Sequence, residues 1–373
     1  MSTISYLSAR LESNDFVFYS DSVTTLSDTK LKQASANGSI ESGTIGAANF
    51  PHVDLLHYNL QWLVNQDSML LSTTDTVFKM YEHQSTTFRD GTLSLTPNGL
   101  NGDGVIETKE AEIKTRLFTF KQHEFLGRHS DYFKIKSDDP EKPALKAHEV
   151  KFTYSLASRI ANIESEKSGD VSFSLPYTNY ETSLAHATWI IDQNNVAFRM
   201  DEEESAHEQG FTSTRSDQKG LSFNSAFANY NTKTYLLNVG AVPQIIVLDT
   251  EIIPDEGSIV IQKGGEMDVL ENAELNVGFH EGFFHLTDGE IKVESSVDYN
   301  GEALYRYIND GDQTFDIKFT KFQKRFLIED MLSDSVKDMT YVDKIINKEA
   351  TYSVSPITEE ENFSISEGKQ FRG

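Results

Sequence analysis

Cysteine is absent from this chain of 373 residues, which excludes disulfides, thiolate zinc sites, iron–sulfur clusters and cysteine nucleophiles. Long apolar runs are absent as well. No segment approaches the roughly 18 uninterrupted apolar residues of a spanning helix, so no membrane span is expected. Basic residues are few beside acidic ones, 33 Lys and Arg against 58 Asp and Glu, for a formal charge of −25. A field of that sign repels phosphate backbones, and nucleic acid is not an expected partner. The opening stretch MSTISYLSARLESND has neither the basic start nor the apolar run of a secretory signal, so synthesis in the cytoplasm without a usual export signal is expected.

Catalytic motifs are missing in the same way. Neither G-x-S-x-G nor G-x-x-x-x-G-K-[ST] occurs, and no G-x-G-x-x-G stands at a strand-to-helix turn. The string IQKGGEMDV, residues 261–269, has two glycines and a lysine but sits in a β-type context without the phosphate-loop frame. His123 and His129 lack the H-E-x-x-H spacing that sets two imidazoles on one helical face. His280 and His285 differ in parity along one strand, so they tend to face opposite sides. Acidic pairs are too common among 58 carboxylates to mark a site, and a run such as Asp201 to Glu204 reads as a solvated surface.

What is present is a β-forming composition, with 24 Phe and 15 Tyr. Apolar residues alternate at Val150, Phe152, Tyr154 and Leu156, at Val171, Phe173 and Leu175, and at Phe315, Ile317 and Phe319. Each set places its apolar members on one face of a half-buried strand. Asp90-Gly91, Asp288-Gly289 and Asn300-Gly301 have the composition of tight hairpin turns, and residues 282–308 read as a three-stranded meander turning at the last two. The expected fold class is mainly β, antiparallel sheets in a sandwich or barrel-like arrangement, with a few helices and α+β character at the margins.

Four regions follow. Residues 1–48, rich in Ser, Thr, Asn and Gly, read as an extended N-terminal arm. Residues 49–150 read as mixed α+β, because Pro51 followed by Val53, Leu56, Leu60 and Leu63 predicts a helix near 51–65. Residues 151–320 form an antiparallel β domain. Residues 321–373 comprise a helical segment and a polar tail.

One stretch resembles an ion-binding loop. In NGLNGDGVIETKE, residues 98–110, Asn101, Asp103 and Glu110 fall at the EF-hand side-chain ligand positions, with Gly104 at the obligatory glycine and the Val105 carbonyl as a further ligand. The first ligand position falls on Gly99, and the entering segment alternates like a strand and contains Pro97. The competing reading is a glycine-rich hairpin loop. Calcium is the one candidate ion, and no other cofactor is expected. The segments YTNYET (177–182) and FNSAFANYNTKTY (223–235) mix aromatics with small polar residues, as sugar-binding faces and protein interfaces do.

A β-rich, cysteine-free chain without an export signal and without a catalytic constellation fits a virion protein, made in the host cytoplasm and working outside it. The expectation is a non-enzymatic structural subunit of a virus or bacteriophage particle, a tail, baseplate, fibre or capsid component. Its partners would be copies of itself, other virion proteins and a host-surface glycan. Two alternatives remain: a carbohydrate-binding, adhesin-like protein assisted by calcium, and a polysaccharide-degrading enzyme of β architecture.

Overall fold

The structure, a computed structural model, describes residues 2–6, 9–13, 20–22, 25–26, 29–31, 37–63, 66–82, 85–167, 169–201, 209–278, 284–309, 312–326 and 350–356. It is mainly β, with 62% of residues in strands and 3% helical. The first strands are β1 (Ser2–Tyr6), β2 (Ala9–Ser13), β3 (Ser20–Ser22), β4 (Thr25–Leu26), β5 (Thr29–Leu31), β6 (Asn37–Ile40), β7 (Gly43–Ile45) and β8 (Ala48–Phe50). Then come β9 (Val53–Leu56), β10 (Asn59–Leu63), β11 (Ser68–Ser72), β12 (Phe78–Met80), β13 (Thr86–Thr96), β14 (Gly99–Glu107), β15 (Ala111–Phe120) and β16 (Glu124–Ile135). Shorter strands follow: β17 (Leu145–Ala147), β18 (Val150–Ser155), β19 (Ile160–Ser165), β20 (Phe173–Leu175), β21 (Tyr180–Thr182), β22 (His186–Ile190) and β23 (Asn195–Arg199). Next are β24 (Gly210–Ser213), β25 (Ser222–Asn224), β26 (Phe227–Asn231), β27 (Leu237–Gly240), β28 (Ile245–Val247), β29 (Thr250–Ile253) and β30 (Ile259–Ile261). The last are β31 (Leu270–Val277), β32 (Phe284–Ser295), β33 (Asp298–Ile308), β34 (Thr314–Phe326) and β35 (Ala350–Pro356).

The chain forms two compact units. One comprises Met1–Pro176, Ala185–Phe198 and Asn231–Lys233, the other Tyr177–Leu184, Arg199–Tyr230 and Thr234–Gly373.

In the first unit the long strands β13 to β16 each run through two layers of one sheet. The N-terminal half of β13 pairs with β12 and its C-terminal half with β11. On the far side, Phe133 to Ile135 of β16 pair with β17 while Glu124 to Gly127 pair with β18. A line of register shifts marks the division, between Arg89 and Thr92 on β13, between Gly102 and Gly104 on β14, and between Lys114 and Thr115 on β15. An extra residue in one strand bends it and sharpens its twist, so the aligned bulges crease the sheet into two layers. One layer continues through β12, β9 and β6 and through β17 and β20; the other continues through β11 and β10 and through β18, β19 and β22.

Aromatic rings close the crease. Phe88 from one layer meets Phe118 and Phe120 of the other at centroid distances of 6.5 and 6.1 Å, both edge-on. Further along, Phe133 meets Phe152 at 5.3 Å and Trp189 at 6.4 Å. All five Phe rings and the Trp are buried, and fully burying a ring of this size stabilises by about 1.5–3 kcal/mol. The outward positions carry ion pairs: Arg89 and Lys134 both reach Glu112, at 3.0 and 2.9 Å, and Lys136 reaches Glu107 at 2.6 Å.

The second unit repeats the device. β31 pairs with β29 through its C-terminal half, while Met267, just before it, bridges Ile261 of β30. Register shifts run through Leu270/Ala273 on β31 and Thr287/Glu290 on β32. One layer is β21, β24, β25, β28 and β29; the other holds β26, β27 and β30. The Thr250 and Tyr299 hydroxyls, both fully buried, hydrogen-bond at 3.1 Å.

Several expectations are corrected. The described residues of the stretch expected as a helix near 51–65 form β9 and β10 instead. Val53 and Leu55 are buried while Asp54 and Leu56 face out, a period of two, and His57 turns the chain at φ 48°. The two periods coexist in this apolar run, and the neighbouring β6 and β12 supply the ladder that decides between them. Where residues 1–48, expected as an extended arm, are described, they form strands: β1 pairs with β2, β2 with β6, and β5 with β10. Within the expected C-terminal helical segment, residues 321–326 belong to β34 and residues 350–356 to β35; residues 327–349 and the tail from 357 lie outside the described residues. Of the dipeptides expected as turns, Asp90-Gly91 and Asp288-Gly289 are bulges inside β13 and β32, and Asn300-Gly301 lies within the β33 ladder. The reversals lie instead at Pro97-Asn98 and Ser296-Val297, so 284–308 is a single hairpin.

Candidate functional site

The residues of the ion-loop reading are spread along β14 and the bend after it. Asn101 pairs with Ser94 and Asp103 with Thr92. Extended backbone rises about 3.3 Å per residue, which separates Asn101 from Val105 by about 13 Å. Asn101 accepts a hydrogen bond from Thr119 at 2.9 Å, and Asp103 is exposed. Glu110 accepts from Arg159 at 2.9 Å, and Arg159 also donates to Asp192 at 3.0 Å. The structure therefore does not bring Asn101, Asp103, Val105 and Glu110 together, and the expected loop is a ladder with a two-residue turn. The physical reason is the strand partner on each side of β14, which satisfies its backbone in extended form. Among the described residues no group of three or more His, Asp or Glu could hold a metal ion.

The histidines are dispersed. His129, at φ 53°, packs its ring nitrogen against Glu166 at 2.5 Å. His285 meets Asn276 at 2.9 Å on the outward face of β31 and β32. His207 and His280 lie outside the described residues.

The two aromatic segments do converge, in the second unit. Tyr177 and Tyr235 stack with centroids 3.7 Å apart and planes 9° from parallel. Tyr235 is 7% exposed and Tyr177 is half-buried, so the accessible part of the stack belongs to Tyr177. Beside it runs the turn at 262–266, which the sequence marked only as a glycine-rich string. Gly264 and Gly265 hold φ of 102° and 90°, and a Cβ on Gly265 would lie 2.4 Å from the Thr178 carbonyl oxygen. Glycine is thus needed for both conformation and close approach.

Hydrogen bonds pin this turn. The Gly264 amide donates to the Tyr177 carbonyl at 2.8 Å. The Gly264 carbonyl accepts from Asn179 at 3.1 Å and from Arg215 at 2.9 Å. The Gly265 carbonyl accepts from the buried Gln218 amide at 2.9 Å. Lys263 is thereby carried to the stack, its ammonium 5.1 Å from the Tyr235 centroid and 5.4 Å from the Tyr177 centroid. Nearly equal distances to two rings 3.7 Å apart put the ammonium beside the stack, level with the gap, rather than above a ring face. Arg215 is held by Asp217, the hydrogen bond between them keeping the guanidinium protonated beyond its ordinary range. At the start of β21, burial pushes the Tyr180 phenol well above its usual range.

Compared with known proteins, the sequence matches no family model and no curated protein. No helix among the described residues is long and apolar enough to cross a membrane.

Proposed function

We propose that the chain is a non-enzymatic structural subunit of a virus or bacteriophage particle, a tail, baseplate, fibre or capsid component, made in the host cytoplasm and assembling with copies of itself and other virion proteins. The observation that supports this reading most is the creased ladder. Strands β13 to β16 belong to both layers of their sandwich, so hydrogen bonds and covalent chain tie layers that would otherwise be joined by side-chain contact alone. Such a body resists shear between its layers, which suits a component that transmits force or holds a lattice. Sedimentation of the purified chain over a range of concentrations, with negative-stain imaging, tests the reading. A fixed oligomer, rings or tubes are expected; a monomer throughout overturns it. Turnover of a polysaccharide that disappears with one Asp or Glu substitution overturns its non-enzymatic part.

A second reading, a carbohydrate-binding surface protein, is favoured by one specific observation, the convergence of Tyr177 and Tyr235 from the two aromatic segments. It is compatible with the first, since particles meet their hosts at glycans.

A further inference from the structure

Lys263 lies beside the aromatic stack. Arg215, which holds the same turn, is paired with Asp217. Among the described residues no carboxylate pairs with Lys263 within 4.0 Å. Its exposed ammonium stands beside the Tyr177–Tyr235 stack, 5.4 Å from the centroid of the half-buried Tyr177. The Gly264 amide and carbonyl tie the turn that presents it to Tyr177, Asn179 and Arg215, and the Gly265 carbonyl ties it to Gln218, so the backbone carrying Lys263 is fixed beside Tyr177 before anything binds.

A sugar ring has an apolar face of C–H groups, which stacks on an aromatic face, and a polar rim that the neighbouring groups of a site read. A cation left at that rim selects for an anion, because a charge-assisted hydrogen bond is roughly twice as strong as a neutral one. We infer that the Tyr177 stack and Lys263 form a site for an acidic saccharide, a uronic-acid unit whose ring lies on Tyr177 and whose carboxylate pairs with Lys263. The inference rests on the carbohydrate-binding reading above and adds the charge of the sugar. It also gives an acid-rich protein one place where an anionic polymer is attracted rather than repelled.

Titration calorimetry on the full chain tests it, with oligogalacturonate as the acidic probe and dextran oligosaccharide as the neutral one. Oligogalacturonate is expected to bind and dextran not to. Lys263→Met, at an exposed position that leaves the fold intact, is expected to weaken oligogalacturonate binding by about tenfold and to reduce its salt dependence. Tyr177→Ala is expected to abolish binding and Tyr177→Phe, which keeps the ring, to retain it. Equal binding of both probes with no effect of Lys263→Met overturns the acidic preference while leaving the carbohydrate reading in place. Binding of neither probe overturns both, and binding undiminished in Tyr177→Ala overturns the site.

Discussion

Gly91 and Gly104 stand back to back across the β13–β14 ladder. A Cβ on Gly104 would lie 2.9 Å from the Gly91 Cα, and one on Gly91 only 1.9 Å from the Asp103 carbonyl oxygen. The close approach is what lets the two bulges face each other and the sheet fold along them. Backbone, unlike a side-chain end, has no room to yield. Gly91→Ala is therefore expected to destabilise by about 3 kcal/mol, the upper part of the range for overpacking. Gly43→Ala, where a Cβ meets nothing within 4 Å, should stay within about 0.5 kcal/mol. Equal denaturation midpoints for the two variants would remove the steric explanation of the crease.

Glu112 supplies a pH dependence. Partial burial raises its pKa, but hydrogen bonding from Lys134, with the charges of Lys134 and Arg89, outweighs that and leaves it below the ordinary glutamate range. A depressed carboxylate contributes stability that is present above its unfolded pKa, about 4.3, and is lost as pH falls through the folded value. Glu112→Gln is expected to cost about 1 kcal/mol at neutral pH. The gap from the parent should close on acidification below about pH 4. Parallel stability curves down to acid pH would show that the pair contributes no such term.

Tyr58 offers a gain. Its hydroxyl is fully buried and has no hydrogen-bond partner among the described residues, so folding strips it of water without replacement. Replacing a buried unpaired polar group by an apolar one of the same shape recovers its desolvation cost. Tyr58→Phe should raise stability by about 1 kcal/mol. A lowered melting temperature would mean that the hydroxyl is satisfied in solution.

Arg159, in the turn after β18, joins the bend after β14 to the turn after β22, through Glu110 on one side and Asp192 on the other. The two carboxylates differ in exposure, 24% for Glu110 and 68% for Asp192. Solvent screens the more exposed partner, so Asp192→Asn should change stability by less than about 0.5 kcal/mol while Glu110→Gln costs about 1 kcal/mol. Equal losses in urea denaturation would deny the distinction.

The legible parts of the fold are those where one face of a strand is buried and the other wet. Val150, Phe152 and Tyr154 alternate because β18 has the aromatic core on one side, and that pattern needs no knowledge of partners. At Val53 to Leu63 the apolar residues satisfy two periods, and only the strands alongside choose between them. Asp-Gly is read as a turn because glycine and its neighbour accept positive φ, yet a bulge asks for the same freedom. What separates the two is the backbone lying opposite, which local sequence does not carry. The candidate site shows the same limit. The aromatic segments were visible as composition, but the stacking of Tyr177 on Tyr235 and the arrival of Lys263 depend on pairings far apart in the chain. For Lys263 the available signal was the Gly264-Gly265 pair, which called for a backbone held unusually close to something.

The order of pairing within each unit bears on how the chain reaches this structure. β18 pairs with β19, β19 with β22, β21 with β24 and β25 with β28, so these strands find their neighbours within a few elements. Closing short loops loses less chain entropy than closing long ones. A two-layered β-structure of this design can therefore be laid down progressively as it leaves the ribosome, each new hairpin docking on an edge already formed and covering it before it can recruit another chain.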